Sequence, residues 1–231
     1  GLEVEKMKIL SVNAGSSSLK FQLYEMPEAK VLISGIFERI GINDGIYTIK
    51  QNGKKEEYQA ELKDHSVAVD ILLKTLLEKG VIKDLDEIKG VGHRLVHGGD
   101  KYNKSVIIDD DVMEQLRKLI PLAPLHNPAN IMGVEAFQKA IPNVLQVGCF
   151  DTAFHQTMDE DQYIYPVPYE WYEKYGIRKY GFHLTVSIVM LLFAILVQVV
   201  QFRLFVMVNV LIQLWALLQM LVLLWGLVVV I

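Results

Sequence analysis

The chain has 231 residues, with 23 Lys and Arg against 27 Asp and Glu, a formal net charge of −4 and a single cysteine, Cys149. A mildly acidic chain without a basic stripe lacks the electrostatic footprint of a nucleic-acid binder. One cysteine excludes an internal disulfide and points to a reducing, cytoplasmic setting. The length suits one large domain or two small ones. The start, Gly1-Leu2-Glu3-Val4-Glu5-Lys6, is charged and has no apolar stretch of the kind a secretory signal needs, so residues 1–6 read as an extension before Met7.

In chain order, Met7 to Val12 predicts a short apolar strand that ends at Asn13 in a Gly/Ser turn. A second strand follows from about Leu19 to Tyr24. Val31 to Phe37 and Ile46 to Ile49 extend a meander, with turns at Asn43-Asp44-Gly45 and Asn52-Gly53. Val69, Leu72, Leu73 and Leu76 recur at i, i+3, i+4 and i+7 ahead of Gly80, the pattern of an amphipathic helix with a C-terminal stop. Ile88 to Val96 reads as a strand entering Gly98-Gly99. A helix over about Asp111 to Leu119 is acidic at its start and basic at its end, as the helix dipole favours. Asn127 is expected to cap the next helix, with Pro128 at its first position and Ile131, Val134 and Phe137 turned inward. Val144 to Phe150 is a buried strand that delivers Asp151 to a loop. Strands first, then alternating helix and strand, imply an α/β layer fold with a mixed sheet.

At His183 the composition changes. The 48 residues Leu184–Ile231 carry one ionisable side chain, Arg203, and no proline. The tail as a whole is well past the roughly 20 residues of a spanning helix, and Gln198, Gln201 and Arg203 split it into two apolar stretches, 184–197 and 204–231. One or two membrane helices is the functional reading. Against it, no turn chemistry separates the stretches and no basic cluster flanks them. The other reading is a shifted reading frame, because codons with U at position two yield this Phe, Leu, Ile, Met and Val bias. The division expected is therefore 1–6, 7–183 and a hydrophobic tail over 184–231.

Several local patterns carry chemistry. In Asn13-Ala14-Gly15-Ser16-Ser17-Ser18-Leu19-Lys20 a strand enters a Gly turn with three hydroxyls and a lysine, so backbone N–H groups, hydroxyls and a cation can meet one phosphate. The second Gly and the GK[ST] ending of a Walker A loop are missing, and an ordinary polar hairpin fits the same residues. Gly92-His93-Arg94-Leu95-Val96-His97-Gly98-Gly99 puts Arg94 near a strand end, where a guanidinium suits bidentate binding of carboxylate or phosphate. Strand alternation places Arg94 and Val96 on one face and His93, Leu95 and His97 on the other. The two histidines read as metal ligands or as packed structural groups. Leu125-His126-Asn127-Pro128 sets a histidine at a helix start, where an anion is favoured, or where the imidazole only caps. Asp151, at the end of a buried strand, suits a carboxylate that holds Mg²⁺ or orients a reacting group, or a solvated turn. Tyr180-Gly181-Phe182-His183 is a loop of aromatic and imidazole groups, or aromatic core.

Taken together, NAGSSSLK, GHRLVHGG, PLAPLHNPAN, FDTAFHQT and RKYGFH, in this order over residues 7–183, resemble the acetate kinase family. That family includes propionate kinases and shares a fold superfamily with sugar kinases, actin and heat-shock chaperones. The resemblance implies a ribonuclease H-like α/β lobe, corresponding to a little under half of a full-length member. It implies reversible phosphoryl transfer from ATP to acetate, giving acetyl phosphate and ADP, with Mg²⁺ or Mn²⁺. Asn13, Ser16, Ser18 and Lys20 then belong to the phosphate loop, with Asn13 also near the metal. Arg94 holds the substrate carboxylate and the phosphoryl group, His126 and His183 stabilise that group in flight, and Asp151 acts beside the substrate or metal. Val96, Leu125 and Phe182 line the pocket for the acyl methyl group. Homodimers are also implied. In the family, the histidine matching His183 precedes a Gly-Thr-Ser-His segment and the ATP-binding lobe, whereas Leu184-Thr185-Val186-Ser187 follows here. The second arginine, the acidic metal ligand and the nucleotide-binding Gly-rich motifs have no counterpart, so the 231 residues alone are expected to lack kinase activity. A different class, a non-catalytic membrane-attached protein that binds anions or a partner, is the alternative if the tail is a true anchor.

Overall fold

The computed structural model describes residues 6–181. The chain divides into two units, through Phe154 and from His155 onward. In the first unit, eight strands form one mixed sheet: β1 (Met7–Gly15), β2 (Ser18–Met26), β3 (Lys30–Glu38), β4 (Ile46–Gln51), β5 (Lys54–Gln59), β6 (Ile88–Leu95), β7 (Val106–Ile107) and β8 (Leu145–Phe150). Their order is β5-β4-β3-β2-β1-β6-β8-β7. The meander β1 to β5 is antiparallel, whereas β6 pairs parallel with both β1 and β8. The expected mixed α/β sheet is present.

Each element follows from local chemistry. β1 and β2 present Leu10, Val12, Leu19, Phe21 and Leu23 to one face, all buried, at alternate positions. Asn52 and Gly53, both at positive φ, turn β4 into β5, as a tight hairpin requires. β5 itself was not expected, since Lys54-Lys55-Glu56-Glu57-Tyr58-Gln59 has almost no apolar content. It is an edge strand, where charge is an asset, and Glu56 reaches Lys79. α1 (His65–Glu78) starts at Asp64, whose carboxylate accepts from the Val67 N–H at 2.9 Å, and ends before Gly80 at φ 65°. Its Val69, Leu72, Leu73 and Leu76 are buried, as their spacing predicts. α2 (Asp110–Lys118) is capped by the Asp109 side chain.

α3 (Asn127–Ala140) departs from expectation at its start. His126, not Asn127, occupies the cap position, and no side chain caps the helix there. The Asn127 amide is buried and committed elsewhere, to the backbone of His97. α1 and α3 cover the same side of the sheet, with Leu72, Leu76 and Phe137 in one core cluster with the β1 and β2 side chains. Leu95, Phe150, Ile131 and Val134 form a second cluster with α2. In the second unit, α4 (Glu160–Tyr163) and α5 (Tyr169–Tyr175) are joined by an Ile164–Arg178 bridge, and the Arg178 guanidinium sits 3.8 Å from the Tyr163 ring centre. Phe182, His183 and the hydrophobic tail lie outside the described residues.

Candidate active site at the carboxyl ends of β1, β6 and β8

Parallel strands with a helical crossover leave a crevice at their carboxyl ends wherever the order of connection reverses. Here that point lies between β1 and β6: β1 leads to β2 on one side, and the chain returns through α1 to β6 on the other. Pairing of β1 with β6 ends at Val12 and His93.

The register sorts the side chains. Val12 and His93 face the helices, and His93 meets the Phe137 ring of α3 edge-on. Their neighbours Asn13 and Arg94 therefore face the opposite, open side of the sheet. Lys20 is the cross-strand partner of Asn13 and shares that side, where Ser11, Asn13, Lys20, Gln22 and Lys50 line an open concavity. Arg94 pairs in register with Cys149, two residues before Asp151. The guanidinium grips the Asp151 carboxylate as a fork, with Nε donating to both oxygens at 3.1 Å and Nη2 to Oδ2 at 2.8 Å. The Arg94 side chain is 48% exposed and that of Asp151 18%, so the pair fixes geometry more than it stabilises the fold.

On the helix side the strand ends are tied together by side chains that sequence reasoning missed. Asn130, in the first turn of α3, donates from Nδ2 to the Ala14 carbonyl at 2.8 Å and accepts from the Val96 N–H at 2.9 Å. Asn127 accepts from the His97 N–H and donates to the His97 carbonyl. Thr152 Oγ1 accepts from Gly98 N–H at 2.9 Å. His65 Nε2 lies 2.7 Å from the Gly15 carbonyl, which makes that nitrogen the donor. All four residues are buried. Gly133 lets α3 approach, because a Cβ there would sit 2.6 Å from the Ala14 Cβ. Inward-facing Asn at two positions of one helical turn, where Ala or Leu would serve a core better, was the one readable signal. His65 and Thr152 left none.

These ties bring Asn13, the Ser16–Ser18 turn, Arg94, His126 and Asp151 to one end of the sheet. Val96 does not share the exposure of Arg94 as alternation predicts. β6 stops at Leu95, and Asn130 draws the Val96 amide inward, leaving its side chain buried. Leu125 is 78% exposed, and Phe182, its expected companion, lies outside the described residues, as does His183.

The two histidines flanking Arg94 have structural partners. His93 Nε2 donates to Gln146 Oε1 at 2.7 Å, and burial pushes its pKa down to about 4. His97 accepts from the Gly99 N–H through Nδ1, and burial likewise lowers it to about 4. Both are neutral at physiological pH. Among the described residues no cluster of three or more His, Cys, Asp or Glu forms a metal cage. Both Asp151 carboxylate oxygens accept from Arg94.

The lobe is of the mixed-sheet α/β class, with an arginine fork, a hydroxyl-rich turn and a helix start at one end of its strands. The chain belongs to the acetokinase family, whose model matches residues 8–190. It is 60% identical over 178 residues to an acetate kinase of Bacillus cytotoxicus, covering 77% of this chain and 45% of that protein. Among solved structures, an acetate kinase of Porphyromonas gingivalis matches with a TM-score of 0.73 at 46% identity, over 77% of this chain and 45% of its own. A propionate kinase of Francisella tularensis matches with a TM-score of 0.71 at 40% identity, over 76% and 44%. The chain thus spans about 45% of the length of the curated relatives it matches.

Proposed function

We propose that residues 7–183 supply the acyl- and phosphoryl-handling half of an acetate kinase site, for reversible phosphoryl transfer between ATP and acetate. The observation that supports this reading best is the Arg94–Asp151 fork, on the sheet face that Arg94 shares with Asn13 and Lys20. Phosphoryl transfer asks chiefly for in-line placement and for compensation of charge on the equatorial oxygens. Arg94 supplies a planar, permanently charged fork for the carboxylate and the moving phosphoryl group. Asp151 keeps that fork aimed until an anion competes for it. Lys20 and the Ser16 and Ser18 hydroxyls contribute further donors, and His126 approaches from the start of α3. Asp151 and Asn13 are the residues of this chain that would face a divalent cation such as Mg²⁺ or Mn²⁺, which would supply charge neutralisation on the phosphates. By resemblance, Val96 and Leu125 are assigned to the apolar wall for the acyl methyl group, and Phe182, assigned with them, lies outside the described residues. A wall of this kind separates acetate from longer acids by only about 1–3 kcal/mol per methylene. The membrane-attached alternative draws on residues 184–231, which lie outside the described residues.

Calorimetric titration with acetyl phosphate tests the proposal. Saturable binding that is lost in Arg94→Ala is expected, and a coupled assay of the 231-residue chain on its own should give no ATP-dependent acetyl phosphate. Absence of binding, or binding that Arg94→Ala leaves intact, contradicts the reading.

A further inference from the structure

Two buried side chains from two different helices donate to successive carbonyls at the end of β1. Asn130 of α3 bonds the Ala14 oxygen at 2.8 Å, and His65 of α1 bonds the Gly15 oxygen at 2.7 Å. Neither is placed there by helix chemistry. Asn is a poor residue for a helix interior, and a histidine at the first position of α1 adds nothing to a helix already capped by Asp64. Each is nonetheless almost wholly buried, at 5% and 4% exposure. A buried polar side chain earns its place only through its bonds, and here both bonds go to the same two-residue stretch of backbone.

The consequence follows from peptide geometry. In a planar trans peptide the carbonyl and the following N–H point in opposite directions. With the Gly15 oxygen drawn to His65 in α1, the Ser16 N–H is turned away from α1. The Ala14 oxygen is fixed by the same Asn130 amide that holds the Val96 N–H, so the turn after β1 and the strand end that carries Arg94 are set against one another by a single side chain.

We propose that His65 and Asn130 are positioning residues for the phosphoryl site: they hold the Ala14–Gly15 backbone so that the Ser16 amide and the Arg94 guanidinium address one anion. This rests on the acetate kinase reading above and adds two residues to it, neither of which touches the anion. The cost of losing them is misplacement rather than lost contact, and misplacement of a reacting group by an ångström is worth on the order of 100-fold in rate.

The test is an amide NMR titration of the 231-residue chain with acetyl phosphate, comparing wild type with His65→Leu, His65→Gln and Asn130→Asp. Gln can present an amide N–H close to where the imidazole Nε2–H lies. Asp keeps the acceptor for Val96 but loses the donor for Ala14. Expected are a saturable shift of the Ser16 amide in the wild type, weakening of about tenfold or more in His65→Leu and Asn130→Asp, and recovery of most of it in His65→Gln. Wild-type affinity in either weakened variant, or a His65→Gln as weak as His65→Leu, overturns the proposal, since a residue that only packs is indifferent to the donor. If the wild type does not bind, the functional reading fails for this chain, and the positioning is judged alone. Amide exchange through Ser16–Ser18 must then quicken in His65→Leu and return in His65→Gln, and unchanged exchange overturns it. Should one variant fail to fold, the other position carries the comparison.

Discussion

Arg94 is half exposed and its carboxylate partner is reached by a planar fork, so its charge and its shape can be separated by mutation. Arg94→Lys keeps the charge and gives up the fork. Acetyl phosphate affinity is expected to fall by about tenfold, with the thermal midpoint nearly unchanged, because exposed ion pairs stabilise by only about 0–1 kcal/mol. A calorimetric titration beside a melting curve reads both. His93 makes the opposite case, with a purely structural consequence. Its folded pKa is about 4, lowered by burial and only partly offset by the Gln146 hydrogen bond. In the unfolded chain a histidine titrates near 6.5. Between those values the unfolded chain binds a proton that the folded chain refuses. The contribution is therefore fully present above about pH 6.5 and is lost as pH falls towards 4. At pH 5 the loss from His93 is about 2 kcal/mol relative to pH 7. Urea titrations at the two pH values should show it, and His93→Gln should remove His93's share while that of His97, lowered in the same way, remains. His93 and Arg94 are sequence neighbours with unrelated duties, and strand alternation alone separates them.

At the level of elements, α3 is the part on which the site depends most. It carries His126 at its start, ties two strand ends through Asn127 and Asn130, and lies against β1 through Gly133. A methyl group at 133 has no room: Gly133→Ala is expected to cost about 1–3 kcal/mol by overpacking against Ala14. Adding Ala14→Gly in the same chain should return part of that cost, and a urea midpoint series over the two single and one double variant measures the coupling. Periodicity revealed α3, α1 and the six longer apolar strands, because burial on one face leaves a repeat in the residues themselves. It did not reveal β5, whose stability comes from pairing at a sheet edge and not from an apolar face. It also assigned the cap of α3 to Asn127, because an amide that could cap the helix is spent instead on the His97 backbone 30 residues away. Long-range hydrogen bonds of that sort leave no spacing to read.

For the molecule as a whole, the motifs lie at one end of the sheet, but their sequence says nothing of what holds that end together. Asn13, Arg94 and His126 stood out in the sequence because each lies near the end or start of a strand or helix close to glycine or proline, and Asp151 because it follows a buried strand. Their assembly depends on the crossover order β1-β6-β8 and on buried groups such as His65 and Thr152, which look ordinary in sequence. The central claim is that the carboxyl ends of these three strands form one anion site. A crystal of the chain soaked in tungstate, a phosphate mimic with a strong anomalous signal, addresses it directly. The account predicts an anomalous peak within hydrogen-bonding reach of the Arg94 guanidinium and of the Ser16 amide. A well-ordered crystal in which that end of the sheet stays empty, or in which the ion binds only elsewhere, would contradict it.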